Sequence, residues 1–299
     1  MTDGLSKDMF VSLIICTKNR ASQLPLCLKE VAAATMPACD FELVLVDNGS
    51  TDSTAEVIRE FAAGAAMKVV CVTCKKTGLG AARNAGIAAA KGEWLLFTDD
   101  DCYVEKPFFV NFLDFVTVSA KSDGPAKDIR YGVGPIVPYD KDHEPRVAGL
   151  RIEKITLLAA MSLLRTGTVQ GANMFVHRSV FERAGLFNER MGAGTEFGCE
   201  DIEMAARASI GGFLGAQVPF FKVIHHHKRL IGSAAARATL ESYDYGRGAY
   251  YASLLESGIS QVWRLWEDWS RGESLQDPIA RARLVRELQG AARYLSSLS

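Results

Sequence analysis

The stretch 93-EWLLFTDDDC-102 sets an unbroken apolar run, Trp94 to Phe97, against three consecutive carboxylates, Asp99, Asp100 and Asp101. A short continuous apolar run ending in polar residues reads as a strand buried on both faces. Like charges a few ångströms apart repel, and burying even one carboxylate without a partner is costly. Either the three aspartates are solvated at a strand end, or a bound cation neutralises them.

The flanking sequence repeats the pattern. Val11 to Cys16 is a near-continuous apolar run ending in Thr17-Lys18-Asn19-Arg20, with helical spacing from about Ser22 to Ala34. Phe41 to Val46 is a second strand, closed by Asp47-Asn48-Gly49-Ser50-Thr51-Asp52. That segment carries turn chemistry and a helix cap for the stretch running to about Ala63. Met67 to Thr73 reads as a third strand, and Gly78-Leu79-Gly80 opens a helix over Ala81 to Ala90. Strands alternating with helices through short loops make βαβ units and a mostly parallel sheet, whose ligands bind beyond the carboxyl ends of the strands. Three polar clusters, at Thr17–Arg20, Asp47–Asp52 and Asp99–Asp101, therefore converge on one sheet edge.

Further along, the spacing predicts a loop over 121–145 with a short strand near Tyr131 to Val137, and a helix over Ile152 to Leu164. Strands are expected at Val169 to Val176 and Phe220 to Ile224, and a helix over Glu200 to Ile210. Beyond Leu230 the pattern is helical, broken near Gly258 and at Gly272 to Pro278.

Composition is that of an ordinary soluble domain, with 48% hydrophobic and 23% charged residues in 299. A formal net charge of −1 supplies no basic field to recruit nucleic acid. No apolar run reaches the roughly 18 residues of a membrane span, and Met1 to Asp8 lacks the pattern of a secretory signal. Seven scattered cysteines fit reduced thiols in a cytoplasmic protein, and Cys71-Val72-Thr73-Cys74 has no second pair to complete a zinc site.

Four segments, VSLIICTKNR, FELVLVDNGSTDST, TGLGAARNAGIAAAKGEWLLFTDDDC and FGCEDIEMAARASIGG, stand in the order seen in family 2 glycosyltransferases, and the chain resembles that family over about residues 10–228. The resemblance implies a GT-A fold: a Rossmann-like α/β architecture with a mostly parallel central sheet flanked by helices, here with a helical C-terminal extension. It implies a nucleotide-sugar-binding half (1–105), an acceptor-binding half with the catalytic base (106–230) and the extension (231–299). It further implies a metal-dependent, inverting transfer of a sugar from a nucleoside-diphosphate donor, a UDP-sugar favoured, to a hydroxyl of a glycan, lipid-linked or small-molecule acceptor.

Residue by residue, Asp99 and Asp101 match the family's D-x-D, and a cation held there, Mn²⁺ or Mg²⁺, neutralises charge on the leaving diphosphate. The resemblance assigns direct metal contact to Asp101, with Asp99 reaching the ribose or the metal through water. Asp47 is expected to accept a hydrogen bond from the nucleobase, with Thr17, Lys18, Arg20, Arg83 and Asp100 completing the nucleotide-binding set. Lys18 stands where many relatives carry an aromatic residue that stacks on the base, so base identity is left open. Glu200-Asp201 matches the family's acidic pair, with Asp201 as the base and Glu200 beside it. A helix start favours the ionised form of both. Within His225-His226-His227 one imidazole is expected to reach the metal or diphosphate, and His225 fits the spacing best.

Other readings of the residues stay open. A sugar-nucleotide pyrophosphorylase would need a Gly-rich, basic loop after the first strand, where this chain has Thr17-Lys18-Asn19-Arg20. A non-catalytic nucleotide-sugar or glycan-binding module keeps the fold without the chemistry. Trp263, Trp266 and Trp269 recur at helical spacing, which suits core or dimer packing, or a peripheral contact at the inner face of a membrane.

Overall fold

The computed structural model describes residues 9–36, 39–270 and 276–298, with the backbone alone for 267–270. The polar start Met1 to Asp8, the break at Gly272 and the side chain of Trp269 lie outside the described residues.

The sheet is built from strands whose side chains are apolar on both faces. β1 (Phe10–Thr17), β2 (Asp40–Asp47), β3 (Lys68–Thr73) and β4 (Trp94–Asp99) run parallel, in the order β3-β2-β1-β4. Alternation sorts each strand between two cores. Val11, Leu13 and Ile15 of β1 join one, packed by α1 (Leu24–Ala33), α2 (Thr54–Gly64) and α4 (Phe108–Ala120). Ile14 joins the other, packed by α3 (Leu79–Ala89), α6 (Glu200–Ile210) and α7 (Ala234–Glu256).

Beyond β4 the sheet changes direction. β9 (Asn173–His177) inserts antiparallel between β4 and β6 (Ile129–Val133), followed by β10 (Leu214–Gln217) parallel to β6 and then β8 (Thr156–Leu158) at the edge. A second, three-stranded sheet has the order β5 (Cys102–Val104), β11 (Val223–His225), β7 (Ile136–Pro138). Buried Asn173 joins the two sheets. Its amide donates to the carbonyls of Pro135 and Phe221, and its own carbonyl accepts from the Gly134 N–H.

Several expectations are corrected. Residues 152–164 form no helix; they hold β8 and loops along the sheet edge, with Leu158 and Leu164 buried in the core while Ile155, Leu157 and Met161 stay exposed. The strand expected over Tyr131 to Val137 is two strands in different sheets, separated at Gly134. β9 and β11 start later than the sequence suggests, at Asn173 and Val223. α4 and the seven-residue α5 (Arg178–Ala184) have no counterpart in the sequence reading; Phe108, Phe112 and Phe115 of α4 pack with Phe175 and Phe221, while Phe109 packs on Phe108 and Phe41.

The tail is a close helix pair. α7 and α9 (Pro278–Ser296) touch through Gly248 and Gly290, whose missing side chains let backbone approach backbone. Between them Arg247 pairs with Asp244 and Glu287, and Arg286 also reaches Asp244. α8 (Trp263–Ser270) turns Trp266 onto Tyr251 while Trp263 stays exposed. No described helix is long and apolar enough to cross a membrane.

Candidate active site

The ends of β1, β2 and β4 lie side by side, because Thr17 pairs with Asp47 and Cys16 with Asp99 in the parallel ladders. Asp47 is buried, and one of its oxygens accepts the Ser50 N–H at 2.9 Å. Asn48 ties the same loop to the start of α3: its amide donates to the carbonyls of Cys74 and Lys76, and its oxygen accepts from Gly78 N–H. Asn19, at φ 54°, accepts from Thr51 N–H and fastens the β1 loop to the β2 loop. Lys18 is exposed on that loop.

Each aspartate of the triplet has its own counter-group. Thr17 donates its hydroxyl to Asp100 at 2.6 Å, and the Arg20 guanidinium lies 3.6 Å from Asp100 and 3.9 Å from Asp101. His225 Nε2 sits 3.0 Å from Asp101, and Arg83 lies 3.5 Å from Asp99. The compensation is uneven. Burial raises Asp99, against the pull of Arg83 and His225, and pushes Asp100 up to about 7 despite Thr17 and Arg20. Burial is the largest single influence on Asp101 and opposes its ionisation, but the His225 bond together with the charges of His225, Arg20 and Arg229 holds that carboxyl below its usual range.

Of the three histidines, only His225 faces these carboxylates. His226 leaves the opposite face of the strand, stacked on Tyr139 at 4.0 Å with Nδ1 3.0 Å from the Tyr103 hydroxyl. His227 turns toward His143 and accepts from Arg229 N–H. Burial, with His225, His143 and Arg229 nearby, lowers His227 to about 4.

One donor atom each from Asp99, Asp101, Cys102 and His225 lies within 4.8 Å of the other three, a set of two carboxylates, an imidazole and a thiol. A half-buried carboxylate with raised pKa, Asp99, and a buried one bonded to an imidazole, Asp101, fit a divalent cation chemically. Cys102 was absent from the sequence expectations. It joins the set because β5 pairs with β11 so that Cys102 faces His225, a long-range register with no local signal. Neither thiol of Cys71 and Cys74 joins such a group among the described residues; Cys71 is exposed and Cys74 buried.

The acidic pair opens α6. Cys199, at φ 72°, turns the chain into the helix, and Asp201 accepts from Gly171 N–H and Ile202 N–H, both at 2.7 Å. Glu200 points inward to Arg83 at 2.7 Å. The expectation that the helix start keeps Glu200 readily ionised is corrected: burial raises it to about 7, with Arg83 opposing and Asp201 adding to the shift. Arg83 itself is 3% exposed, lies over the Phe187 ring and bridges Asp99 to Glu200. A side chain at Gly171 would collide with that guanidinium, so this glycine makes room for the bridge.

A side chain that the motifs missed comes from the tail. Tyr243 of α7 donates to the Val147 carbonyl. One turn on, Gly246 lies against Gly198, whose backbone would be 3.0 Å from an added Cβ. The helix pair thus backs the loop that carries Glu200 and Asp201.

Comparison with known proteins agrees with this architecture. Glycosyltransferase AglE of Haloferax volcanii is 27% identical over 204 residues, 68% of this chain and 62% of that protein. A PGL/p-HBAD biosynthesis glycosyltransferase of Mycobacterium tuberculosis is 43% identical over 94 residues, 31% of this chain and 36% of that protein. The chain thus spans less than two thirds of the length of these curated relatives. Among solved structures, residues 1–349 of TarS from S. aureus align with TM-score 0.59 at 16% identity, over 96% of this chain and 81% of that one. A mannosyltransferase from Pyrobaculum calidifontis, in complex with GDP-Man and Mn²⁺, aligns with TM-score 0.59 at 17% identity, over 99% of this chain and 77% of that one. At such identities the likeness shows the fold, GT-A. The model of glycosyl transferase family 2 matches residues 12–183, more than half of the sequence, and the chain belongs to that family.

Proposed function

We propose that this chain transfers a sugar from a nucleoside-diphosphate donor, a UDP-sugar first, to a hydroxyl acceptor with inversion at the transferred carbon. The observation that carries the reading is the meeting, at one sheet edge, of an Asp/Asp/His group with the acidic pair of α6 through a single guanidinium, Arg83. Residues up to about 105 take the nucleotide and 106–230 the acceptor, with the tail supporting the acceptor side.

In this mechanism Asp47 and Thr17 border the base, and Arg20 faces the negative charge of the diphosphate. Asp99, Asp101 and His225 hold a divalent cation, Mn²⁺ or Mg²⁺, which when bound supplies Lewis-acid neutralisation of the leaving diphosphate. Asp201, fixed by the Gly171 and Ile202 N–H groups, takes the acceptor hydroxyl's proton as that oxygen attacks. The new carbon–oxygen bond forms on the face opposite the bond to the diphosphate, which breaks. Arg83 keeps Glu200 against the helix start, so that Asp201 remains the solvent-facing base.

The test is thermal unfolding with UDP, dTDP, GDP and CDP, each with and without Mn²⁺. A ligand at 100 times its dissociation constant adds roughly 2.7 kcal/mol. Stabilisation by one nucleotide, dependent on Mn²⁺ and absent in Asp101→Ala, is expected and names the donor class. No shift with any nucleotide overturns the reading.

A further inference from the structure

One sulfur atom stands among the candidate cation donors, and nothing in the proposed reaction calls for it. Cys102 lies directly opposite His225 in the antiparallel β5–β11 pair, so both side chains leave the same face of the small sheet. Cys102 has no solvent exposure, and Asp101 and His225 are each about nine-tenths buried. His225 adds an independent sign. Its Nδ1 is buried with no hydrogen-bond partner, and its other ring nitrogen bonds Asp101 alone. Buried polar atoms are normally satisfied. The ring also meets His227 edge-on at 5.3 Å, but its only polar partner among the described residues is a carboxylate with which it would share an ion.

The spacing suits one small cation. With metal–sulfur about 2.3 Å and metal–nitrogen about 2.0 Å, tetrahedral donors stand about 3.5 Å apart. The four donors here lie within 4.8 Å of one another, so a contraction of about 1 Å gathers them. Donor chemistry then sorts the ions. Carboxylates and waters alone suit Mg²⁺, whereas imidazole and thiolate favour borderline and soft ions.

We propose that Cys102 is a sulfur donor of the cation site, making it a mixed oxygen, nitrogen and sulfur centre that takes Zn²⁺, Co²⁺ or Cd²⁺ in preference to Mg²⁺. The inference rests on reading the acidic strand end as a cation site. Binding breaks the Cys102 S–H bond and forms a sulfur–metal bond, and the proton passes to solvent. Cys102 thereby sets which ion occupies the position.

The experiment is an optical titration of the chelator-treated protein with Co²⁺ alone. Visible ligand-field bands should grow together with a near-ultraviolet sulfur-to-cobalt charge-transfer band. Cys102→Ser should remove the charge-transfer band and weaken Co²⁺ binding by about 10- to 100-fold. Mg²⁺ binding should change by less than about threefold, since Mg²⁺ gains little from sulfur. Cys71→Ser, at an exposed thiol, should leave both bands intact. If Cys102→Ser does not fold, Asp101→Asn serves instead, because removing another ligand of the same ion must weaken both bands in step. Visible bands without the charge-transfer band, or one that survives in Cys102→Ser, overturn the sulfur assignment and leave the cation site standing. No visible bands at all overturn both.

Discussion

Arg83 lies where three carboxylates would otherwise meet unshielded. Its guanidinium reaches Asp99 and Glu200 while Asp201 adds to the same field, and it is almost wholly buried. The three consecutive aspartates are thus not a solvated strand end; two of them are buried and all three are compensated by different partners. Asp100 is compensated least. Its folded-state pKa of about 7 lies above the 3.8 of an unperturbed group, so the folded chain holds this proton more tightly than the unfolded chain does. As pH rises from about 4 to about 7 the folded state must release it, and this group's contribution to stability falls. Asp100→Asn bears no such cost. In chelator the variant's Tm advantage should widen by several degrees from about pH 4 to about pH 8, and saturating Mn²⁺ should narrow it. A gap independent of pH would remove Asp100 as the strained member. Asp201→Asn should retain nucleotide-dependent stabilisation and lose at least about 100-fold in turnover; undiminished turnover would remove Asp201 from the mechanism. At this scale the sequence was informative about the carboxylates, because a strand end announces itself locally. It was silent on Cys102, because its place depends on a strand far along the chain.

Among elements, those with a clear period were legible and those that answer to distant partners were not. β1 to β4 and α1 to α3 lie within a few residues of expectation, since each carries its own apolar run or stripe. Residues 152–164 carry apolar residues at helical spacing, yet short-range spacing cannot tell a helix face from an edge strand and loops lying along a sheet. α4 shows the converse, a helix whose phenylalanines pack so densely that its period was hidden in an aromatic run. Glycine inside a helix ordinarily weakens it, but Gly248 and Gly290 let two helices approach. A side chain at Gly248 would strike the Glu287 carbonyl of α9. Gly248→Ala should therefore destabilise by about 1–3 kcal/mol despite its better helix propensity. Gly64→Ala, at a helix position with open space around it, should stabilise by up to about 1 kcal/mol. Urea unfolding of both variants checks the pair, and equal effects would mean that α7 and α9 have room to part.

For the molecule as a whole, one sheet runs without a gap from β3 to β8, and β9 pairs with a strand on each side of the expected boundary near 105. The tail is bonded into the same body: Asn188 reaches both Ser253 of α7 and Tyr294 of α9, and Ser253 donates to Glu203 of α6. A chain ending at residue 257 should lose cooperative unfolding and near-ultraviolet circular dichroism, because it takes Ala291 and Tyr294 out of the core and uncovers the face of α7 that they pack. Retention of a sharp transition within a few degrees would make the tail an ornament.

The contact of Gly246 with Gly198 has one more consequence. At that point the rear helix meets the acidic loop through bare main chain, with no side chain from either partner between them. A side chain placed at Gly246 would push the rear helix off Gly198 and move the start of α6, and Asp201 with it.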